Sequence, residues 1–259
     1  MLMKLKYIDS VTIKLVIAFI ITLIAIPYWF YSGGTLLGFI LVRLIANHVQ
    51  VTGTIGYHRW LCHNSFKPNV FGKYFMLFGI MTSGIGKPFH YVISHMLHHR
   101  HTDTELDPQS PKYLTFWELF WGRLRINSGI PIPKHFMRNK EAMFVNTYYL
   151  YLYFSFNILL AIIDLPTALI FCPITLVQAW MGATLLNYNG HAGNKNKDEI
   201  QPTNLPTWPN FILLLPWSGE NLHKNHHENP SSYHFDGNGR KDIMRWYVES
   251  VLMSKKQNV

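Results

Sequence analysis

Histidine is the residue that stands out. Fourteen occur in 259 residues, and nine of them fall in four short clusters. His58 and His63 lie in GYHRWLCH; His95, His98 and His99 in HMLHH; His191 in NYNGH; His223, His226 and His227 in HKNHH. Imidazole is a borderline ligand that suits zinc, copper, iron and nickel. His-x-x-His-His on a helix puts its rings at i, i+3 and i+4, on one face, so two copies offer their imidazoles to a common point. Asn187 and His191, at i and i+4, share a face in the same way. His58 and His63 are five apart, about 140° around an α-helix. They converge only if the helix ends or distorts there, or if each serves a different ion.

Nine ligands are too many for one ion of about four to six, so two ions are the economical reading. A structural zinc would take four ligands and usually cysteine. Only Cys62 and Cys172 are present, too few for a disulfide framework, and Cys62 reads as packing. Histidine ligation without cysteine, beside a lipid phase, points to iron handling oxygen. His48, His90, His101, His135 and His234 stand apart from the clusters and read as ordinary surface or core residues.

The clusters need elements to hold them. Residues 15–31 carry no charge, and with 11–14 they reach the length of about 20 that crosses a bilayer. The expected spans are 12–31, 35–57, 145–163 and 166–186, in two hairpins turned at Ser32–Gly34 and Asp164–Pro166. The first span has no small-residue cleavage site and reads as an anchor. Neither turn has a basic residue, whereas 87–140 and 195–259 hold eight each and Lys4 and Lys6 precede the first span. The positive-inside rule then puts both termini, both large polar segments and every histidine cluster on the cytoplasmic side. The net charge of +9 reads as topology and attraction to anionic headgroups, not as a nucleic-acid stripe. Residues 75–86, 113–125 and 208–217 are apolar but too short to span; the first suits the membrane interface, and the other two suit the interface or the core of a cap. The fold expected is an all-α membrane protein, with a helical cytosolic cap at 58–144 and 187–259.

GYHRWLCH, HMLHHRHTDTELDP and GENLHKNHH resemble the three histidine boxes of integral-membrane fatty-acid desaturases, nearest the Δ9 acyl-CoA or acyl-lipid class. NYNGH resembles the Asn-x-x-x-His of that class. The resemblance runs from about residue 36 to 236 and implies one desaturase domain over 1–259, with a diiron centre. Carried over residue by residue, it makes His58, His63, His95, His98, His99, His191, His223, His226 and His227 the ligands, with Asn187 acting through a water. Asp103 and Asp107 would steady ligand rings from behind, or Asp107 would cap the turn at Pro108. Met96, Ser94 and Asn221 depart from the usual Arg, Asp and Gly of the boxes, which bears on the polar contacts around the metals.

The resemblance also implies oxygen-dependent insertion of a double bond into a long acyl chain. O2 would be a co-substrate, and the electrons would come from a separate ferredoxin- or cytochrome b-type carrier. The substrate would be an acyl-CoA or acyl-lipid in a bacterial inner membrane or the endoplasmic reticulum. Successive methylenes are chemically alike, so chain depth in a tunnel must set the position of attack. Arg43, Asn47, Gln50, Thr54 and His58 recur on one face of the second span. A charge within a span rarely faces lipid, so the stripe either lines that tunnel or Arg43 snorkels. A hydroxylase on the same boxes is the alternative enzyme. A metal transporter would need ionisable residues in several spans, and the third and fourth have none. A scaffold would not need nine ligands on one side.

Overall fold

The computed structural model describes residues 7–122, 132–191, 200–206 and 219–254. These are helical, with only isolated bridges such as Pro68 to Met253 in place of a sheet. Helices α1 (Tyr7–Tyr31), α2 (Leu36–Ile55), α3 (Val70–Thr82) and α4 (Pro88–Arg100) precede the short α5 (Phe116–Phe120) and α6 (Lys134–Arg138). Helices α7 (Lys140–Ile163), α8 (Leu165–Gly190), α9 (His223–Glu228) and α10 (Met244–Tyr247) follow among the described residues, and a π-helical stretch at Val248–Leu252 succeeds α10. Four are long and apolar enough to cross a membrane: Thr12–Tyr31, Leu36–Cys62, Lys140–Ile163 and Leu165–Gly190. The last three run longer than expected because their more polar ends continue the helix: through His58 to Cys62, from Lys140, and through Asn187 to Gly190. Helix α3 does not span, as expected, and exposes Val70, Phe71 and Tyr74. The 113–125 stretch contributes α5, although Arg123 and Arg125, like 208–217, lie outside the described residues.

Side-chain caps set the helix starts. Thr35 accepts from Gly38 N at 3.0 Å, Asn69 from Gly72 N at 2.7 Å, and Asp164 from Thr167 N at 3.0 Å. Each satisfies an amide that the first turn leaves without a helical partner. Helix α8 is the centre of the bundle: α1, α2, α5 and α7 all pack on it. Leu15 and Ala18 of α1 meet Leu176, and Ala25 and Trp29 meet Ile170. Helices α2 and α3 touch backbone to backbone, since a Cβ on Gly79 would lie 2.5 Å from Gly53 N.

Arg43 is buried and faces the bundle. Its Nη1 donates to Ile170 O at 2.9 Å, Phe171 O at 3.2 Å and Thr175 Oγ1 at 3.1 Å. Its Nη2 donates to Asn47 Oδ1 at 3.0 Å and Gln178 Oε1 at 2.6 Å. The carbonyls belong to the turn before Pro173. The guanidinium therefore fastens α2 to α8 and satisfies polar groups that lipid could not.

Two outcomes follow. Arg43→Leu leaves Asn47 and Gln178 unpaired and should cost about 3 kcal/mol, read as a lower melting temperature in detergent. Gly79→Val forces α2 and α3 apart and should cost about 2 kcal/mol or more; an unchanged melting temperature would contradict the contact.

Candidate metal centre

At the end of α2 the helix widens. Gly56–Cys62 is π-helical, and His63 N donates to His58 O at 3.2 Å. A turn that closes on the fifth residue stacks positions 58 and 63 one above the other. Their rings lie 5.1 Å apart between centroids. Of the alternatives open in the sequence, the distorted helix is the one found.

The four clusters converge into two groups. His58, His63, His95, His99 and His226 form one; His98, His191, His223 and His227 form the other. Within each group the candidate ligand atoms lie within 4.8 Å of one another. Helix α4 serves both, with His95 and His99 turned to one group and His98 to the other. Helix α9 does the same with His226 against His223 and His227. Asn225, between them, faces away and accepts from Asn204 at 2.7 Å while donating to Phe235 O at 2.8 Å and Gly237 O at 3.0 Å. It seats α9 on the flanking loops.

The spacing fits metal ions. His58 and His226 Nε2 are 2.9 Å apart, His99 and His226 2.8 Å, and His63 and His95 2.8 Å. Ligands at about 2.1 Å from an ion sit about 3 Å apart as neighbours and about 4.2 Å apart across it. The second group adds a stronger argument. Its Nε2 atoms form a chain from His98 to His227 at 3.2 Å, His227 to His223 at 3.2 Å, and His223 to His191 at 2.7 Å. Asp107 accepts from His98 Nδ1 at 3.0 Å, and Asp103 from His191 Nδ1 at 3.0 Å. A neutral imidazole protonated at Nδ1 has only a lone pair at Nε2. Both ends of the chain are then acceptors, and no placement of single protons on the two middle rings satisfies all three contacts. A cation receiving four lone pairs does.

Burial keeps these lone pairs free. It holds His95, His223 and His226 well below the usual histidine range, and neighbouring histidines add to the effect. Burial and the same neighbours push His63 and His227 down to about 2 and lower His99 too. His191 is lowered by burial, against the opposing pull of Asp103.

Asp107 also caps its turn, accepting from Gln109 N and Asp103 N at 2.9 Å each. Asp107 therefore meets both the His98 ring and its own turn. Asp103 sits at φ 58° and is held by Ser110 Oγ at 2.9 Å. Glu220 was not among the expected site residues, yet its Oε2 lies 2.6 Å from His58 Nδ1. Arg59, which is fully buried, lies between Glu220 and Asp242, 2.6 Å from the latter. The signal for Glu220 was its place three residues before His223. A Cβ on Gly219 (φ +75°) would strike both Asp242 and Arg59.

Asn187 lies one turn before His191 and lines an apolar cavity between α4 and α8, with Lys87, His90, Tyr91, Ser94, Trp180 and Thr184 among the other walls. Arg43, Asn47, Gln50 and Thr54 do not line this cavity. His135 bonds Leu61 O, His48 packs on Phe75 and Tyr247, and His234 sits against Asp236.

The family model for fatty acid desaturases matches residues 34–236. The Acyl-CoA C20 Delta5-desaturase of Anemone leveillei is 30% identical over 213 residues, covering 76% of this chain and 63% of that protein. The Delta-9 acyl-lipid desaturase 2 of Arabidopsis thaliana is 25% identical over 208 residues, 76% of this chain and 63% of its own. The sn-1 stearoyl-lipid 9-desaturase of Anabaena variabilis is 22% identical over 206 residues, 78% and 72%. The chain belongs to the fatty acid desaturase family. It spans just over three fifths of the length of the Anemone proteins it matches.

Asp107→Ala frees His98 and should weaken metal binding in the second group by about 10–100-fold. Metal analysis should find loss from that group first. Unfolded histidines titrate near 6.5, whereas the buried ones resist protonation. The unfolded chain therefore binds more protons below that pH, and stability falls as pH falls. Metal release runs the same way, because each ligand must be deprotonated. Metal content and melting temperature should both drop between about pH 7.5 and 5; a metal content flat across that window would contradict the assignment.

Proposed function

We propose that the chain works as a single desaturase unit that inserts a double bond into a long-chain acyl group. The acyl group would be carried on CoA or a lipid, with Δ9 the favoured position. The observation that carries this is the pairing of two histidine groups with an apolar cavity that reaches Ser94, beside His95, and Asn187, one turn before His191. The residues present fit two iron ions: five imidazoles for one, four imidazoles and Asn187 through a water for the other. When bound, such a pair supplies the dioxygen chemistry that an unactivated methylene needs. Dioxygen takes two electrons from the chain and two from a ferredoxin- or cytochrome b-type carrier. The two hydrogens lost by the chain and two protons leave as water.

The protein's own work is positional. Asp103 and Asp107 hold the Nδ1 atoms of His191 and His98 from behind, fixing tautomer and ring direction, and Glu220 sets a carboxylate close to His58. The cavity is lined by one face of α4, from Lys87 to Ser94, and one face of α8, from Trp180 to Asn187. At 1.5 Å per residue each face extends about 10 Å. An extended chain advances about 1.25 Å per carbon, given a C–C bond near 1.52 Å. A headgroup held at Lys87 therefore brings the eighth or ninth carbon to the histidines, which supports attack near Δ9. The apolar walls keep water from the reacting carbons.

The topology proposed with this function is two membrane hairpins, α1–α2 and α7–α8, and a cap on the cytoplasmic side. Basic residues flank the spans on that side, and both histidine groups lie at the same ends of α2 and α8.

The test is the acyl profile, by gas chromatography–mass spectrometry, of a desaturase-deficient host expressing the chain, with His226→Ala as control. New monounsaturated chains, absent from the variant, are expected. Hydroxylated chains would transfer the site to a hydroxylase. No product from iron-loaded protein given a reductant and both kinds of acyl donor would sink the proposal.

A further inference from the structure

A second apolar groove adjoins the first. It lies between α1, α7 and α8, and Lys14, Gly84 and Leu176 stand at one end of it. From there it follows α7 from Tyr149 to Ala161 and α8 back to Leu165. At 1.5 Å per residue this is about 17 Å, the depth of one leaflet of a hydrocarbon core about 30 Å thick. Its outer rim, Leu150, Phe154 and Ile158, is exposed, so it opens sideways to lipid.

The two grooves meet at one place. Gly84 borders the second, and Ile85, Gly86 and Lys87 border the first. Leu176 of α8 borders the second, and Ala179 one turn on borders the first. Where they meet stand Lys14, Lys87 and His90. Both lysines lie near enough to His90 to lower its pKa, although burial is the larger cause. Among the described residues neither lysine has an acidic partner. Two cations without counter-charge, between two chain-shaped apolar grooves at a membrane boundary, match a phosphate with an acyl chain on either side.

We infer that the substrate is an intact diacyl glycerophospholipid. Its phosphate sits at Lys14 and Lys87, one acyl chain enters the cavity between α4 and α8, and the other lies in the groove between α1, α7 and α8. This rests on the desaturase reading and narrows it, since an acyl-CoA also has phosphates but has no second chain to fill the second groove. The bound lipid is drawn from the bilayer sideways, past the exposed rim of α7.

The test uses the full, iron-loaded chain in phosphatidylglycerol vesicles. A diacyl phosphatidylglycerol with a photoreactive diazirine midway along its sn-2 chain is cross-linked and mapped by mass spectrometry. Label on Ile17, Ile21, Phe154 or Ile158 is expected; label scattered over the lipid-facing surface would overturn the inference. In parallel, distearoyl-phosphatidylglycerol, its single-chain lyso form and stearoyl-CoA are compared as substrates. Ala161→Trp should cut the ratio of diacyl to lyso conversion at least tenfold. Conversion of stearoyl-CoA alone would overturn the two-chain site and leave the desaturase standing. Label in the groove with no alkene from any donor would do the reverse.

Discussion

The structure turns on the convergence of buried imidazole lone pairs. In the second histidine group, Asp103 and Asp107 fix two rings as acceptors, and two further rings stand between them. With both end rings neutral, no placement of protons on the two middle rings satisfies that chain, so without a cation or an added proton the group is a liability. Burial of polar groups without partners costs a few kcal/mol each, and here burial is nearly complete. The helices, caps and loops around the site hold it against that cost.

That requirement explains several features with no obvious use of their own. The π-helical turn at Gly56–Cys62 interrupts regular hydrogen bonding, yet it brings His58 and His63 into one group. Asp103 takes a left-handed backbone conformation that an acidic residue tolerates better than most, and so its carboxylate reaches His191. Asn225 turns its back on the metals and ties α9 to the loops on either side. Arg59 is buried with Glu220 and Asp242 on either side of it, and Gly219 leaves it room. Each is costly alone and intelligible as support for a ligand.

Helix α8 joins the membrane part to the site. It is packed by the other spanning helices, fastened by Arg43 at its middle, and ends in Asn187 and His191. The same helix walls both apolar grooves. Bundle packing, both apolar grooves and the second histidine group are therefore coupled through one helix, and motion of α8 would change all three.

The sequence by itself determined the chemistry and the spans. Ligand types, the i, i+3, i+4 spacing and long uncharged runs are local properties, and local properties survive translation into structure. The nine histidines singled out in the sequence are the nine that the fold gathers. Tertiary structure decided the rest. Division into groups of five and four depends on where α4 and α9 cross, which no single segment encodes. The convergence of His58 and His63 depends on a π-helical turn that spacing allowed but did not require. Glu220 stood in the third box as one more motif residue, and only the fold sets its carboxylate against His58. The stripe on α2 could be read from its periodicity, yet its partner could not. Only the packing of α2 on α8 shows that Arg43 meets the backbone carbonyls of Ile170 and Phe171, 127 and 128 residues downstream. A side chain's position on its own helix is encoded nearby; what it meets across the interface is set by the whole chain.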